Sequence, residues 1–166
     1  SANRCRSRDC DSTGVRGCTH ATGARPASNS AKGSRNLAKP KILIVDDEPD
    51  VVTLIERTLE TEGFESVAAY DGISALDIAE AEEPAVILLD IMMPMMSGYE
   101  VCEQLKANPQ TQGIPIICVT SAHSTEAFAR CRQVGANALL TKPFSPAELI
   151  AQIQRQLARL EERDTP

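Results

Sequence analysis

Apolar and polar positions fall into alternating blocks between about residues 40 and 160, and each block has its own period. Ile42–Val45 and Ala85–Leu89 are unbroken aliphatic runs with no polar side to face water, which is the pattern of strands buried on both faces. Ile114–Val119 reads the same way, and Phe64–Ala69 and Ala138–Leu140 are shorter runs of the same kind. Helical spacing fills the gaps between them. Pro49 opens the first helix, with Val51, Ile55 and Leu59 on its apolar face and Val52 and Leu54 beside them. Ile73, Leu76 and Ile78 mark a second helix, and a third is expected near Tyr99–Ala107. Ala127, Cys131 and Val134 mark a fourth; Leu149, Ile153, Leu157 and Leu160 mark a fifth, with Ser145 as its cap and Pro146 in its first turn. Gly63, Asp71-Gly72, Pro84, Asn108-Pro109, Gly113 and Gly135 punctuate the blocks. Strand and helix alternate strictly, which predicts an α/β fold: a five-stranded parallel sheet with helices on both faces.

In such a sheet the chemistry gathers at the carboxyl ends of the strands. The first run ends in Asp46 and Asp47, the central one in Asp90, the fourth in Thr120, and Lys142 follows the fifth. Three converging carboxylates repel one another unless a cation joins them. Oxygen donors of this kind are what Mg²⁺ takes, beside waters and a phosphate. Three Asp, one Mg²⁺ and one Lys sum to zero, whereas without the metal the pocket stands at −2. At about 4 Å and an effective dielectric near 20, each unit pair amounts to roughly 4 kcal/mol, so the metal decides whether a phosphate dianion can enter. A hydroxyl at Thr120 and an ammonium at Lys142 suit the remaining phosphoryl oxygens. Asp90 could otherwise be no more than the cap of the helix that follows; Pro94 and Gly98 are read as a sharp turn that leaves it at a loop mouth.

The set Val45-Asp46-Asp47-Glu48, Leu89-Asp90-Ile91-Met92-Met93-Pro94 with Gly98, Val119-Thr120 and Thr141-Lys142-Pro143-Phe144 resembles the receiver domain of bacterial two-component response regulators. The resemblance implies the flavodoxin-like (βα)5 receiver fold and a phosphorylation-driven binding module rather than an enzyme. It implies that Asp90 accepts a phosphoryl group from a sensor histidine kinase or phosphotransfer protein, with Thr120 and Lys142 completing the site. Mg²⁺ would be bound directly by Asp47, Asp90 and the Met92 backbone carbonyl, and by Asp46 mainly through water. A cis Lys142–Pro143 bond is also implied. Two positions depart from the family pattern. Leu139 stands where an aromatic switch residue is usual, and Ser121 follows the hydroxyl where Ala is common. Leu139 is expected to stay in a buried pocket; Phe128 on the neighbouring helix is read either as the exposed apolar contact in its place or as a residue that simply packs on a neighbouring side chain. A receiver cut from a longer regulator or hybrid kinase is the alternative. A phosphohydrolase with an Asp nucleophile typically has a second Asp two residues on, where this chain has Met92.

Composition narrows the partners. No stretch of 18 apolar residues exists, so no membrane span is expected. Residues 1–39 hold eight Lys/Arg against two Asp/Glu, and residues 40–166 hold nine against twenty-one. The acidic body argues against nucleic-acid binding by the receiver itself. Residues 1–39 have almost no large apolar side chain and are read as a flexible basic arm. The domain is expected to cover 40–162, with 163–166 as a short tail. No apolar leader follows the basic start, and the cysteines match no metal spacing, so a reduced cytoplasmic setting is expected. Cys102, Cys118 and Cys131 lie in apolar contexts and are read as small hydrophobes. All four methionines fall between Asp90 and Ser97, either filling gaps over the site or offering an adaptable partner patch. The downstream partner is left unnamed and dimer formation open.

Overall fold

The structure, a computed structural model, describes residues 39–122 and 124–163. The elements alternate as β1 (Lys41–Val45), α1 (Pro49–Thr61), β2 (Glu65–Ala69), α2 (Gly72–Glu82), β3 (Val86–Asp90), α3 (Gly98–Ala107), β4 (Ile116–Thr120), α4 (Thr125–Gln133), β5 (Ala138–Thr141) and α5 (Pro146–Arg163). All strand pairs are parallel, and the strand order is β2-β1-β3-β4-β5. The expected fold class is the observed one. Of the expected arm and tail, only Lys39 and Arg163 are among the described residues, and Arg163 is the last residue of α5.

The unbroken aliphatic runs follow from burial on both faces. Leu43, Val45, Ile87, Leu89, Ile116 and Cys118 point into one core with α2, α3 and α4. Ile42, Ile44, Val86, Leu88 and Ile117 point into the other with α1 and α5. Every residue of β3 and β4 is buried. Fully burying one such Leu or Ile is worth about 2 kcal/mol, so a polar residue in these strands before their last position would be costly. Cys102, Cys118 and Cys131 are buried free thiols within the first core, as expected; Cys5, Cys10 and Cys18 lie outside the described residues. The hydrogen bond with the neighbouring Cys102 thiol, and then burial, push the Cys118 thiol far above its ordinary range.

Several local expectations are corrected. β2 begins at Glu65 rather than Phe64, because the Phe64 N–H closes the end of α1 on the Leu59 carbonyl. β4 begins at Ile116, because the Ile114 N–H turns back to Thr111 and Pro115 has no N–H to give. Leu54 and Ile73, counted with the apolar faces, are 62% and 63% exposed. In α5 the buried stripe is Leu149, Ile150, Ile153 and Gln156, while Leu157 and Leu160 are half-buried.

α3 starts directly behind β3 with a reciprocal cap. The Glu100 N–H donates to Ser97 Oγ, and Glu100 Oε2 accepts from the Ser97 N–H at 2.8 Å. A Ser97→Ala substitution should lower stability by about 1 kcal/mol. Urea unfolding should show it as a lower midpoint with an unchanged slope. Among the described residues no helix is long and apolar enough to cross a membrane.

Candidate functional site

The strand order places the crossover between β1 and β3, since the chain leaves β1 toward β2 and returns on the other side. At that reversal the loops after the two strands diverge and open a crevice at the carboxyl edge. Asp46 and Asp90 flank it. Both are nearly inaccessible, at 2% and 4%, and Thr120 at the end of β4 is fully buried. Asp47 is half-buried beside them.

One local device is used three times. Asp46 Oδ1 accepts from the Glu48 N–H at 2.9 Å, and Asp90 Oδ1 from the Met92 N–H at 3.2 Å. Thr120 Oγ1 likewise accepts from the Ala122 N–H at 3.0 Å. A strand-end side chain that bonds the backbone two residues on ends the strand and fixes its own rotamer. Each of these side chains is thereby held by main chain rather than by a mobile neighbour.

Carboxylate oxygens of Asp46, Asp47 and Asp90 lie within 4.8 Å of one another. The Lys142 ammonium reaches Asp46 Oδ2 at 2.8 Å and Asp90 Oδ2 at 3.2 Å. Its approach is set by β5, whose last residue pairs with Thr120, and by the bond from the Lys142 N–H to the Thr120 carbonyl. The Lys142–Pro143 peptide is cis, as expected. Burial is the largest single influence on Lys142 and opposes its charge, but the hydrogen bond to Asp46 and the charges of Asp90 and Asp46 together outweigh it. The pKa therefore stands above its ordinary value, and the ammonium is charged throughout the neutral range. Three acids and one ammonium still leave two negative charges at the crevice. Closely grouped hard oxygen donors with that surplus fit a divalent cation.

The structure thus brings Asp46, Asp47, Asp90 and Lys142 to one edge, with Thr120 on the adjoining strand end. Met92 follows Asp90 with its side chain exposed. Met93 is buried and Met96 half-buried, packed against the first core, so the four methionines divide between filling and exposure. Leu139 is not in a closed pocket. It is half-buried in the wall of a groove of about 590 Å³ with Thr125 and Phe128, and Phe128 is 44% exposed, which favours the first of its two readings.

Sequence reasoning missed the part played by Gly98. It is not freed for a left-handed turn. A Cβ there would stand 2.1 Å from the Asp90 carbonyl oxygen, so α3 packs directly on the backbone of Asp90. The only available signal was a Gly at a helix start eight residues after the acid.

Comparison with known proteins agrees with this geometry. The family model described as response regulator receiver domain matches residues 42–154. The alkaline phosphatase synthesis transcriptional regulatory protein PhoP of Bacillus subtilis is 41% identical over 121 residues, 73% of this chain and 50% of its own length. The chain thus spans half the length of that curated relative. Among solved structures, the chemotaxis protein CheY4 of Vibrio cholerae is 35% identical with a TM-score of 0.70, covering 72% of this chain and all of its own. The receiver domain of sensor histidine kinase PA1611 from Pseudomonas aeruginosa, described with a magnesium ion coordinated in its active site cleft, is 34% identical with a TM-score of 0.68, covering 73% and 99%. The chain belongs to the receiver-domain family of two-component response regulators.

Proposed function

We propose that Asp90 is the phosphoacceptor, receiving its phosphoryl group from the phosphohistidine of a sensor kinase or phosphotransfer protein. The observation that carries this reading is the placement of one buried carboxylate, at the end of the central strand, between an acid cluster and the Lys142 ammonium. In the transfer a carboxylate oxygen of Asp90 bonds to phosphorus as the phosphorus–nitrogen bond of the donor breaks. The electron pair leaves on the imidazole, and Asp90 becomes an acyl phosphate. Asp47, Asp90 and the Met92 carbonyl, with Asp46 through water, would hold Mg²⁺, which supplies positive charge against the incoming phosphoryl oxygens.

The chain's own groups do the rest. Lys142, already on Asp90, stays with the negative charge as it moves onto the phosphoryl oxygens. Thr120 Oγ1 is engaged as an acceptor, which leaves its own proton for a phosphoryl oxygen. Turning to donate it weakens the bond from Ala122, so the loop into α4 is tied to the state of Asp90. That coupling makes the domain a two-state switch whose surface differs between forms. A second reading, the receiver as one part of a longer regulator, is supported by the half-length match to PhoP. It keeps the chemistry at Asp90 and moves the output to another domain; the reading frame beyond this segment decides it.

The test is acetyl phosphate with Mg²⁺ on the full chain, followed by intact mass. One phosphoryl group should appear, labile to hydroxylamine as an acyl phosphate is, and a chelator should prevent it. Thermal unfolding should rise with added Mg²⁺, by about 2.7 kcal/mol at a hundredfold excess over its Kd, and Asp47→Asn should remove that gain. Labelling that survives both chelator and hydroxylamine would overturn the proposal.

A further inference from the structure

At the opposite edge of the sheet, the amino ends of β4 and β5 and the last turns of α5 enclose a groove of about 370 Å³. We infer that this groove is a second site, for a small organic oxyanion, recognised by donors on Asn137, Gln156, Arg159 and Arg163.

The donor character follows from the hydrogen bonds. Asn137 Oδ1 accepts from the Ile116 N–H at 3.0 Å and from Lys106 Nζ at 3.3 Å. A main-chain N–H can only meet the oxygen, so the orientation of this amide is fixed. Its acceptor is spent twice, and its NH₂ is what remains for a ligand. Gln156 is 1% exposed, and its Nε2 has no hydrogen-bond partner. A buried amide donor left unpaired is costly, and an acceptor seated in the groove removes that cost. The terminal torsion of Gln is soft, so the carboxamide can turn toward such an acceptor.

Charge points the same way. The body from residue 40 onward carries twenty-one acids and nine bases, yet Lys106, Arg159 and Arg163 gather at this one corner. Burial lowers the Lys106 pKa, and the nearby positive charge of Arg163 lowers it further. Lys106 itself is spent on the carbonyls of Gln112 and Ile114, at 3.0 and 2.8 Å, so the repulsion it shares with Arg163 is not relieved by those neutral partners. Among the described residues Glu162 is the one carboxylate on the lining, which leaves a modest positive balance suited to a singly or doubly charged anion. Pro115 and Leu160 line the same groove and fit an apolar body on that anion.

The experiment is a titration of the full chain with phenyl phosphate, with a chelator present and no Mg²⁺, followed by backbone and side-chain amide shifts. Saturable shifts are expected at the Gln156 and Asn137 side-chain amides and at Gly113, with nothing from benzyl alcohol. The double variant Arg159→Gln/Arg163→Gln, whose side chains are exposed and not needed for the core, should bind at least about tenfold more weakly. The same variant should take phosphate on Asp90 from acetyl phosphate as wild type does. A Gln156→Met variant, which removes the orphan donor, should also weaken binding. The inference is overturned by an absence of shifts up to about 10 mM, the range of very weak binding. Equal binding of benzyl alcohol, undiminished binding by the double variant, or shifts confined to the Asp90 edge would overturn it as well.

Discussion

An Asp90→Asn chain should fold normally and take no phosphoryl group from acetyl phosphate, while Lys142→Met should take it about a hundredfold more slowly than wild type. The two variants fail for different reasons. Asn keeps the shape of Asp, and its oxygen can still accept the Met92 N–H that holds Asp90 Oδ1. Lys142 keeps Asp46 at 2.8 Å when Asp90 loses its charge, so no buried ammonium is left alone. The amide oxygen is no nucleophile, and labelling should fall to background. In Lys142→Met the nucleophile remains, but the charge that meets the transferring group is gone. Removing one preorganised partner of this kind costs about 10²- to 10³-fold. It also strands Asp46 and Asp90, both nearly inaccessible, without their shared cation. A buried pair broken on one side costs about 3 kcal/mol, so this variant should unfold at clearly lower urea in the absence of Mg²⁺. The pKa of Lys142 fixes the sign with pH. A raised folded value means the bridge contributes fully below the ordinary lysine pKa and is lost only as pH rises through the folded one. The deficit of Lys142→Met should therefore be constant across the neutral range and close only in alkali. Full-rate labelling of Lys142→Met, or labelling of Asp90→Asn, would refute this division of roles.

Much of this site is legible in the sequence because topology does the assembling. Once Ile42–Val45, Ala85–Leu89 and Ile114–Val119 are read as parallel strands, Asp46, Asp90 and Thr120 must come out at the same edge. No side-chain geometry is needed for that step. What stays illegible depends on contacts between elements remote in sequence. Leu54 and Ile73 have the right chemistry for a core, but both are exposed, off the buried stripes of Val52, Ile55 and Leu59 in α1 and of Gly72, Ala75 and Ala79 in α2. Gln156 has the wrong chemistry, yet it is buried one turn after Ile153, where the stripe of α5 meets the end of the sheet. The Lys106 clasp joins α3 to the entry of β4 and to Asn137, thirty-one residues away, and no periodicity marks it. The expectation of a pocket for Leu139 rests on its being smaller than an aromatic and having no flat ring to swing outward. On the edge strand β5, beside the gap under Phe128, no described residue covers it fully.

Gly98→Ala should be among the most damaging single-methyl additions in the chain, and it should damage the site as well as the fold. The added Cβ would sit 2.1 Å from the Asp90 carbonyl oxygen, 2.8 Å from Ile91 Cα and 2.9 Å from the Asp90 carbonyl carbon. All three are backbone atoms, so no rotamer change can absorb the overlap. Either the first turn of α3 lifts away from β3, breaking the 3.1 Å bond from the Gly98 N–H to the Ile91 carbonyl, or the end of β3 is displaced. Overpacking against side chains costs about 1–3 kcal/mol, and a rigid backbone collision belongs at or above the upper end. Movement of β3 carries Asp90 away from Lys142 and the acid pair, so labelling by acetyl phosphate should slow even in molecules that remain folded. Gly113→Ala is the control: its added Cβ meets nothing within 4 Å, and its backbone is not left-handed. There the methyl restricts only the unfolded chain, and stability should hold or rise by about 0.4–1 kcal/mol. Urea unfolding and the initial labelling rate of the two variants, measured side by side, decide the matter. A Gly98→Ala protein as stable and as quickly labelled as Gly113→Ala would mean that α3 does not bear on Asp90 as the packing indicates.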